Sequence, residues 1–332
     1  VDVSLDVNGT IKLDGNYPTG TNNVALGNGA LDDGSLSGNN NTAIGDDALG
    51  ENTSGGINTA IGGQSLRANT TGSCNTAVGY ATLFDNSTGV LNTAIGNYSL
   101  ANNTTANHNS AVGYNSLFCN TTGAYNTALG SRAMEDNTTG SQNIGIGYRG
   151  LDCNTTGCNN VAIGTSSLLS NTTGASNTAL GYLALCTNVT GSDNVAVGKD
   201  ALLANTANNN VAVGVDALTA NTTGDCNVAM GKSTLDSNTS GCGNTAVGAQ
   251  SFSTATTSDF SVAVGFRSLA STTTADNNTA IGACSLNANT TGTKNTAVGM
   301  SSLIANTEGS QNVSLGSCSM LANTTGSNNT AI

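Results

Sequence analysis

From Asn23 to the end of the chain, apolar and polar residues return to the same places about every 17 positions. The unit is typified by NTAIGGQSLRANTTGSC, from Asn58 to Cys74. It begins at Asn23, Asn41, Asn58, Asn75, Asn92, Asn109, Asn126, Asn143, Asn160, Asn177 and Asn194. It continues at Asn210, Asn227, Asn244, Ser261, Asn278, Asn295, Asn312 and Asn329. The spacing is 18 once, before Asn41, and 16 once, before Asn210. Units this short cannot fold alone, so they must stack and share a core.

Numbering the slots from the leading Asn, slot three is Ala except at Gly145 and Ser314, and slot four is aliphatic or Met. Slot five is Gly and slot nine is almost always Leu, with Met134, Phe252 and Met320 as the replacements. Slots twelve to fifteen usually read Asn-Thr-Thr-Gly. Period-two alternation in the first run predicts a strand with slots two and four on one face and Ala on the other. The Gly ends that strand, where the chain must turn. A second short strand is expected around the slot-nine Leu, with Asn-Thr-Thr-Gly as the second turn. Helical repeats are excluded, because Gly, Asn and Thr dominate and no segment carries helical periodicity. The fold class expected is all-β, a parallel β-solenoid (β-roll) of about 18 coils with two short strands each.

Before the array, VDVSLDVNGTIKLDG alternates around Asn8-Gly9, the signature of a hairpin with a two-residue turn. Residues 1–22 are read as a cap or connector and 23–332 as the repeat solenoid. Ile332 falls in slot four of a fresh repeat, an open strand edge. That ending favours continuation of the natural polypeptide, or a docked subunit. The narrow apolar core of each coil adds an expectation of self-association, as a homotrimer or a filament.

Composition narrows the functions. The chain has 332 residues and a net charge of -12, and its Lys and Arg together number only 8. No basic stripe forms, so no nucleic-acid partner is expected. No apolar run reaches the ~18 residues of a membrane span, so no membrane insertion is expected. The single His108 has no nucleophile–base neighbours, and pairs such as Asp32-Asp33 and Asp46-Asp47 occupy variable slots as solvated turn charges. No phosphate loop, zinc spacing or periodic calcium-binding Asp occurs. Catalysis, cofactor and metal are therefore not expected.

Two modifications are open. Cys153 and Cys158 flank Asn-Thr-Thr-Gly in one coil, and a disulfide across that turn is a candidate. Cys226 and Cys242 fall in nearly the same slot of successive coils, where ~4.8 Å stacking suits the ~4.4–6.8 Å Cα separation of a disulfide. Free thiols are the competing reading. The slot-twelve Asn often begins an N-x-[ST] sequon, as at Asn52, Asn69, Asn86, Asn103, Asn120, Asn137, Asn154, Asn171, Asn188, Asn221, Asn238, Asn289 and Asn323. These are candidate N-glycan sites if the protein is secreted by a eukaryote. Turn chemistry with ladder hydrogen bonds is the preferred explanation of the same pattern. A candidate contact patch is formed by Tyr80, Phe84, Tyr114 and Phe118, in slots six and ten of alternate coils.

The runs NTAIG, NTAVG and NVAVG resemble the head repeats of YadA-like trimeric autotransporter adhesins. The longer NTAxGxxSLxxNTTG form is similar to arrays in phage and bacterial tail-fibre-like proteins. The resemblance covers nearly the whole chain. It implies parallel β-rolls that assemble as trimers outside the cell and bind surfaces. This chain departs from the shorter head repeat by three residues per coil. The expectation is a non-enzymatic structural or adhesive fibre segment at a cell surface or on a virion. A receptor-binding head, meeting a surface glycan or protein, and an N-glycosylated extracellular fibril subunit are the alternatives.

Overall fold

The computed structural model describes residues 20–332 and divides the chain into two units, Val1–Asn126 and Thr127–Ile332. The hairpin expected at Val1 to Gly15 lies outside the described residues. The described part of the first unit carries six strands: Val24–Leu26, Thr42–Ile44, Thr59–Ile61, Thr76–Val78, Thr93–Ile95 and Ser110–Val112. The second unit carries thirteen, running from Thr127–Leu129 to Thr330–Ala331. No helix occurs among the described residues.

Each unit is a parallel β-solenoid. Strands pair slot for slot, as in Thr59↔Thr76, Ala60↔Ala77 and Ile61↔Val78 of the first unit. The second unit repeats this in Thr178↔Val195, Ala179↔Ala196 and Leu180↔Val197. The irregular coils keep register as well. Val24 pairs with Thr42 across the 18-residue coil, and Val195 with Val211 across the 16-residue one. Length changes are absorbed in the turns, because a slip in the strand would turn every side chain to the wrong face.

The structure corrects one expectation. There is one strand per coil, and the segment centred on the slot-nine Leu is a run of turns. In the coil that begins at Asn58, Gln64, Leu66 and Cys74 all have left-handed backbones, with φ of 60°, 51° and 60°. A left-handed non-Gly residue costs about 1–2 kcal/mol. Complete burial of the Leu side chain, worth about 1.5–3 kcal/mol, offsets this at slot nine. The segment stays stacked without being a strand, since Leu66 N–H donates to Thr82 O of the next coil at 2.9 Å.

The structure also decides which strand face is inside, which alternation alone leaves open. The alternation is as read, and Ala60, Ala77 and Ala94 point into the core, while Ile61 and Ile95 point outward. The interior of a coil is narrow, with the slot-nine Leu filling it. Gly145 makes this tightness visible: a Cβ there would lie 2.6 Å from Cγ of Met134 in slot nine of the preceding coil. A longer core residue in one coil is matched by the loss of a methyl in the next. The slot-five Gly is equally constrained. Gly62 has φ +131°, and a Cβ there would sit 2.3 Å from the carbonyl oxygen of Gly79.

Candidate functional site

Each coil has one corner that repeats and one that varies. The repeating corner contains the slot-one and slot-twelve asparagines. In the Asn58 coil, Gly72 O accepts from Asn58 Nδ2 at 2.9 Å and from Asn69 Nδ2 at 3.0 Å. Asn69 Nδ2 also donates to Asn52 Oδ1 of the preceding coil at 2.7 Å. Asn75 N–H donates to Asn58 Oδ1 at 2.9 Å, linking to the following coil. Two buried amide ladders therefore run along each unit, and Thr70 Oγ1 adds a third bond to Ser87 O at 3.0 Å. Buried amides are tolerated because their donors and acceptors are matched by the coils above and below.

The sequon asparagines belong to this ladder and, Asn323 apart, are buried in the folded chain. Asn52, Asn69, Asn86, Asn103, Asn120, Asn137, Asn154, Asn171, Asn188, Asn221, Asn238 and Asn289 are all 0% exposed. A sugar would have to occupy the Nδ2 that makes the ladder bonds, in space filled by the adjoining coil. Asn323, near the chain end, is half-buried, and its Nδ2 bonds to Asn306 Oδ1 at 3.0 Å.

Faults in the ladder show how it is built. Asn238 Oδ1 is buried without a partner, and the slot-twelve residue of the next coil is Ala255, which has no amide to donate. Asn188 Oδ1 is likewise orphaned. The next coil is the 16-residue one, whose Asn205 Nδ2 turns to Ala207 O at 2.9 Å instead. Thr272 and Ser261 keep the ladder partly intact: Thr272 Oγ1 accepts from Asn289 Nδ2 at 3.3 Å, and Ser261 Oγ from Asn278 N–H at 3.2 Å.

Neither candidate disulfide is formed. Cys153, Cys158, Cys226 and Cys242 are free thiols. Cys242 lies under Asp225 rather than Cys226, with its Sγ accepting from Asp225 N–H at 3.4 Å. The one-slot offset therefore separates the two cysteines. Burial raises the Cys153 thiol above its usual range, and Asp152 adds to this, so the reactive thiolate is disfavoured.

The variable corner is formed by slots six, seven, ten and eleven, and its chemistry differs between the units. In the first unit it is aromatic from Tyr80 to Phe118, while in the preceding coils Arg67 lies 3.8 Å from Asp47 and 3.6 Å from Glu51. The exposed rings of Tyr80 and Tyr114 stand in slot six, two coils apart. Tyr98, from slot seven of the coil between, meets Tyr80 edge to face at 5.6 Å and Phe118 at 6.3 Å. Tyr98, Tyr114, Asn115 and Phe118 line an open cleft of about 190 Å³. Phe84 is drawn elsewhere, with the Arg67 guanidinium over its ring at 5.6 Å. The four-residue patch read from sequence thus divides. Tyr80, Tyr114 and Phe118 are gathered around Tyr98, and Phe84 pairs with Arg67. Tyr98 was outside the patch because it occupies a different slot. Its position in the intervening coil was the available signal. His108 and Tyr125 stack at the other edge, 4.9 Å apart and 7° from parallel.

In the second unit, slots seven and ten carry ion pairs. Arg149 Nε donates to Asp152 Oδ2 at 2.5 Å, Arg132 pairs with Glu135, and Arg132 Nη2 lies 3.9 Å from Asp152. Asp152 is 1% exposed, and its other oxygen has no partner. Burial pushes the Asp136 carboxyl up, and the nearby Asp152 and Glu135 push it further. Tyr148 and Tyr182 continue the slot-six pattern on alternate coils of this unit. Their slot-seven and slot-ten neighbours are charged or non-aromatic.

A third feature is the outward strand face. Slot four presents a column of large apolar side chains, with Ile61 38% and Ile95 40% exposed. No helix among the described residues is long and apolar enough to cross a membrane, and no group of three His, Cys, Asp or Glu among them could hold a metal. No family model and no curated protein matches this chain.

Proposed function

We propose that the chain is a non-enzymatic fibre segment that self-associates, as a homotrimer or filament, in an appendage at a cell surface or on a virion. The outward apolar column carries this reading. In the first unit Leu26, Ile44, Ile61, Ile95 and Val112 are all exposed on the sheet face, in register from coil to coil. A regular apolar surface of this kind favours burial against an equally regular partner, and a second copy of the chain supplies one. Hydrogen-bonded stacking at every coil gives the stiffness that a spacer needs. The aromatic corner supports the adhesive part of the reading. An N-glycosylated fibril loses its support with the burial of the sequon asparagines.

Sedimentation equilibrium tests the assembly. Wild-type chain is expected to sediment as a discrete oligomer or filament, and Ile61→Lys with Ile95→Lys is expected to shift it to monomer with its circular dichroism unchanged. A wild-type chain that stays monomeric at high micromolar concentration would overturn the proposal.

A further inference from the structure

We propose that the aromatic corner of the first unit binds a neutral, extended β-linked polysaccharide, with Tyr80 and Tyr114 as stacking platforms and Asn97 between them. The inference rests on the adhesive reading of this edge and names its ligand. Tyr80 and Tyr114 are 45% and 53% exposed and occupy slot six of coils separated by one intervening coil. Two strand spacings of ~4.8 Å place them roughly 9.6 Å apart along the stack. That is close to the length of a disaccharide, so every second ring of an extended chain would meet a tyrosine. Sugar rings present a flat C–H face to an aromatic platform and hydroxyls at their edges. Asn97 sits in slot six between the two tyrosines, exposed; its Oδ1 accepts from Tyr80 N–H at 3.4 Å, and its Nδ2 is suited to donate to those hydroxyls.

The Tyr80 platform is held rather than floppy. Tyr98 packs edge to face on Tyr80 and on Phe118, at 85° and 80°. The cleft beside Tyr114, about 190 Å³, is below the ~300–1,000 Å³ of a site that engulfs a whole small molecule. It suits one unit of a longer chain lying along the edge.

Other occupants fit less well. An extended peptide would need free backbone groups to pair with. Here Tyr98 N–H already donates to Tyr80 O at 3.0 Å, and Asn115 N–H to Asn97 O at 3.2 Å. The net charge of -12 disfavours nucleic acids and sulfated or uronic-acid polymers.

The chain has 7 Tyr and 0 Trp, so its intrinsic fluorescence reports on tyrosine. Cellohexaose is titrated into the full chain, followed by tyrosine emission and by calorimetry. Tyr80→Ala, Tyr114→Ala and the control Phe260→Ala are compared, and each sample is also sedimented. The expected result is saturable binding, weakened about tenfold by each tyrosine substitution, as for loss of one aromatic anchor, and unchanged by Phe260→Ala. Absence of saturable binding at millimolar cellohexaose would overturn the proposal. So would equal binding by wild type and both tyrosine variants. Sedimentation separates the two ideas: an intact oligomer that ignores cellohexaose rejects the sugar, whereas a monomeric wild type rejects the fibre whatever the sugar does.

Discussion

The two corners of a coil obey different rules. At the asparagine corner the same atoms make the same bonds in coil after coil, as Asn58, Asn69 and Gly72 do. At the opposite corner the same slots hold Tyr98 and Phe118 in one unit, and Arg149 with Asp152 in the other. A change at the first corner is felt by its neighbours, because each amide is both donor and acceptor in a column, and Ala255 leaves Asn238 Oδ1 without a donor. The second projects side chains past the stack, so each coil can change alone. Stability is therefore concentrated at the repeating corner, and individuality at the variable one.

The contrast is broken most severely by removing one rung. Asn86→Ala deletes the bonds from Asn86 Nδ2 to Asn69 Oδ1 and Gly89 O, and leaves Asn103 Nδ2 with Ala106 O as its one remaining acceptor of two. A local loss of about 2–4 kcal/mol is expected, read as lost hydrogen-exchange protection in the coils on either side. Tyr98→Ala, at the other corner, is expected to cost less than about 1.5 kcal/mol by the same measurement. Equal losses at the two sites would abolish the distinction.

Repair of a natural fault is the next largest effect. Ala255→Asn with Ser258→Gly returns that coil to the repeat pattern and gives Asn238 Oδ1 its missing donor. A gain of about 1 kcal/mol is expected in denaturant unfolding, since an orphaned buried acceptor is satisfied. No gain would mean that the ladder is tolerated rather than stabilising.

The smallest effect concerns charge at the variable corner. Burial raises the Asp236 carboxyl above its usual range, and its Oδ1 has no partner. A raised acid favours the protonated form in the folded chain, so stability falls as pH rises through the ordinary aspartate range and up to the folded value. Asp236→Asn is therefore expected to raise the melting temperature slightly at pH 7 and to leave it unchanged below the ordinary aspartate range. A gain that persists in strong acid would contradict that cause.

Much of the architecture was legible in the sequence, because Gly at slot five and Asn-Thr-Thr-Gly recur at a fixed period. The alternation of Thr59, Ala60 and Ile61 was legible too, but not its direction. Hydrophobicity alone assigns Ile to the core, whereas Ala60 is the residue buried with Leu66 and Ile61 is exposed. Nor could periodicity reveal that Leu66 is left-handed, since a buried Leu looks the same in a strand and in a turn. The sequon pattern concealed the ladder, although the sequence carried a hint. Where Asn gives way to Ala255, Gly gives way to Ser258 three residues on. At Gly72, an added Cβ would meet Asn69 Oδ1 at 2.4 Å, although Ala106 is accommodated beside Asn103, whose Nδ2 donates to Ala106 O at 3.1 Å.

The buried amide ladders are tested most directly by exchange of asparagine side-chain amides, in chain labelled with ¹⁵N only at Asn. Slot-one and slot-twelve side-chain NH₂ groups are expected to exchange slowly, while those of exposed residues such as Asn97 exchange at once. Rapid exchange of all of them, or hexose mass on the sequon asparagines of the folded chain, would contradict the ladders.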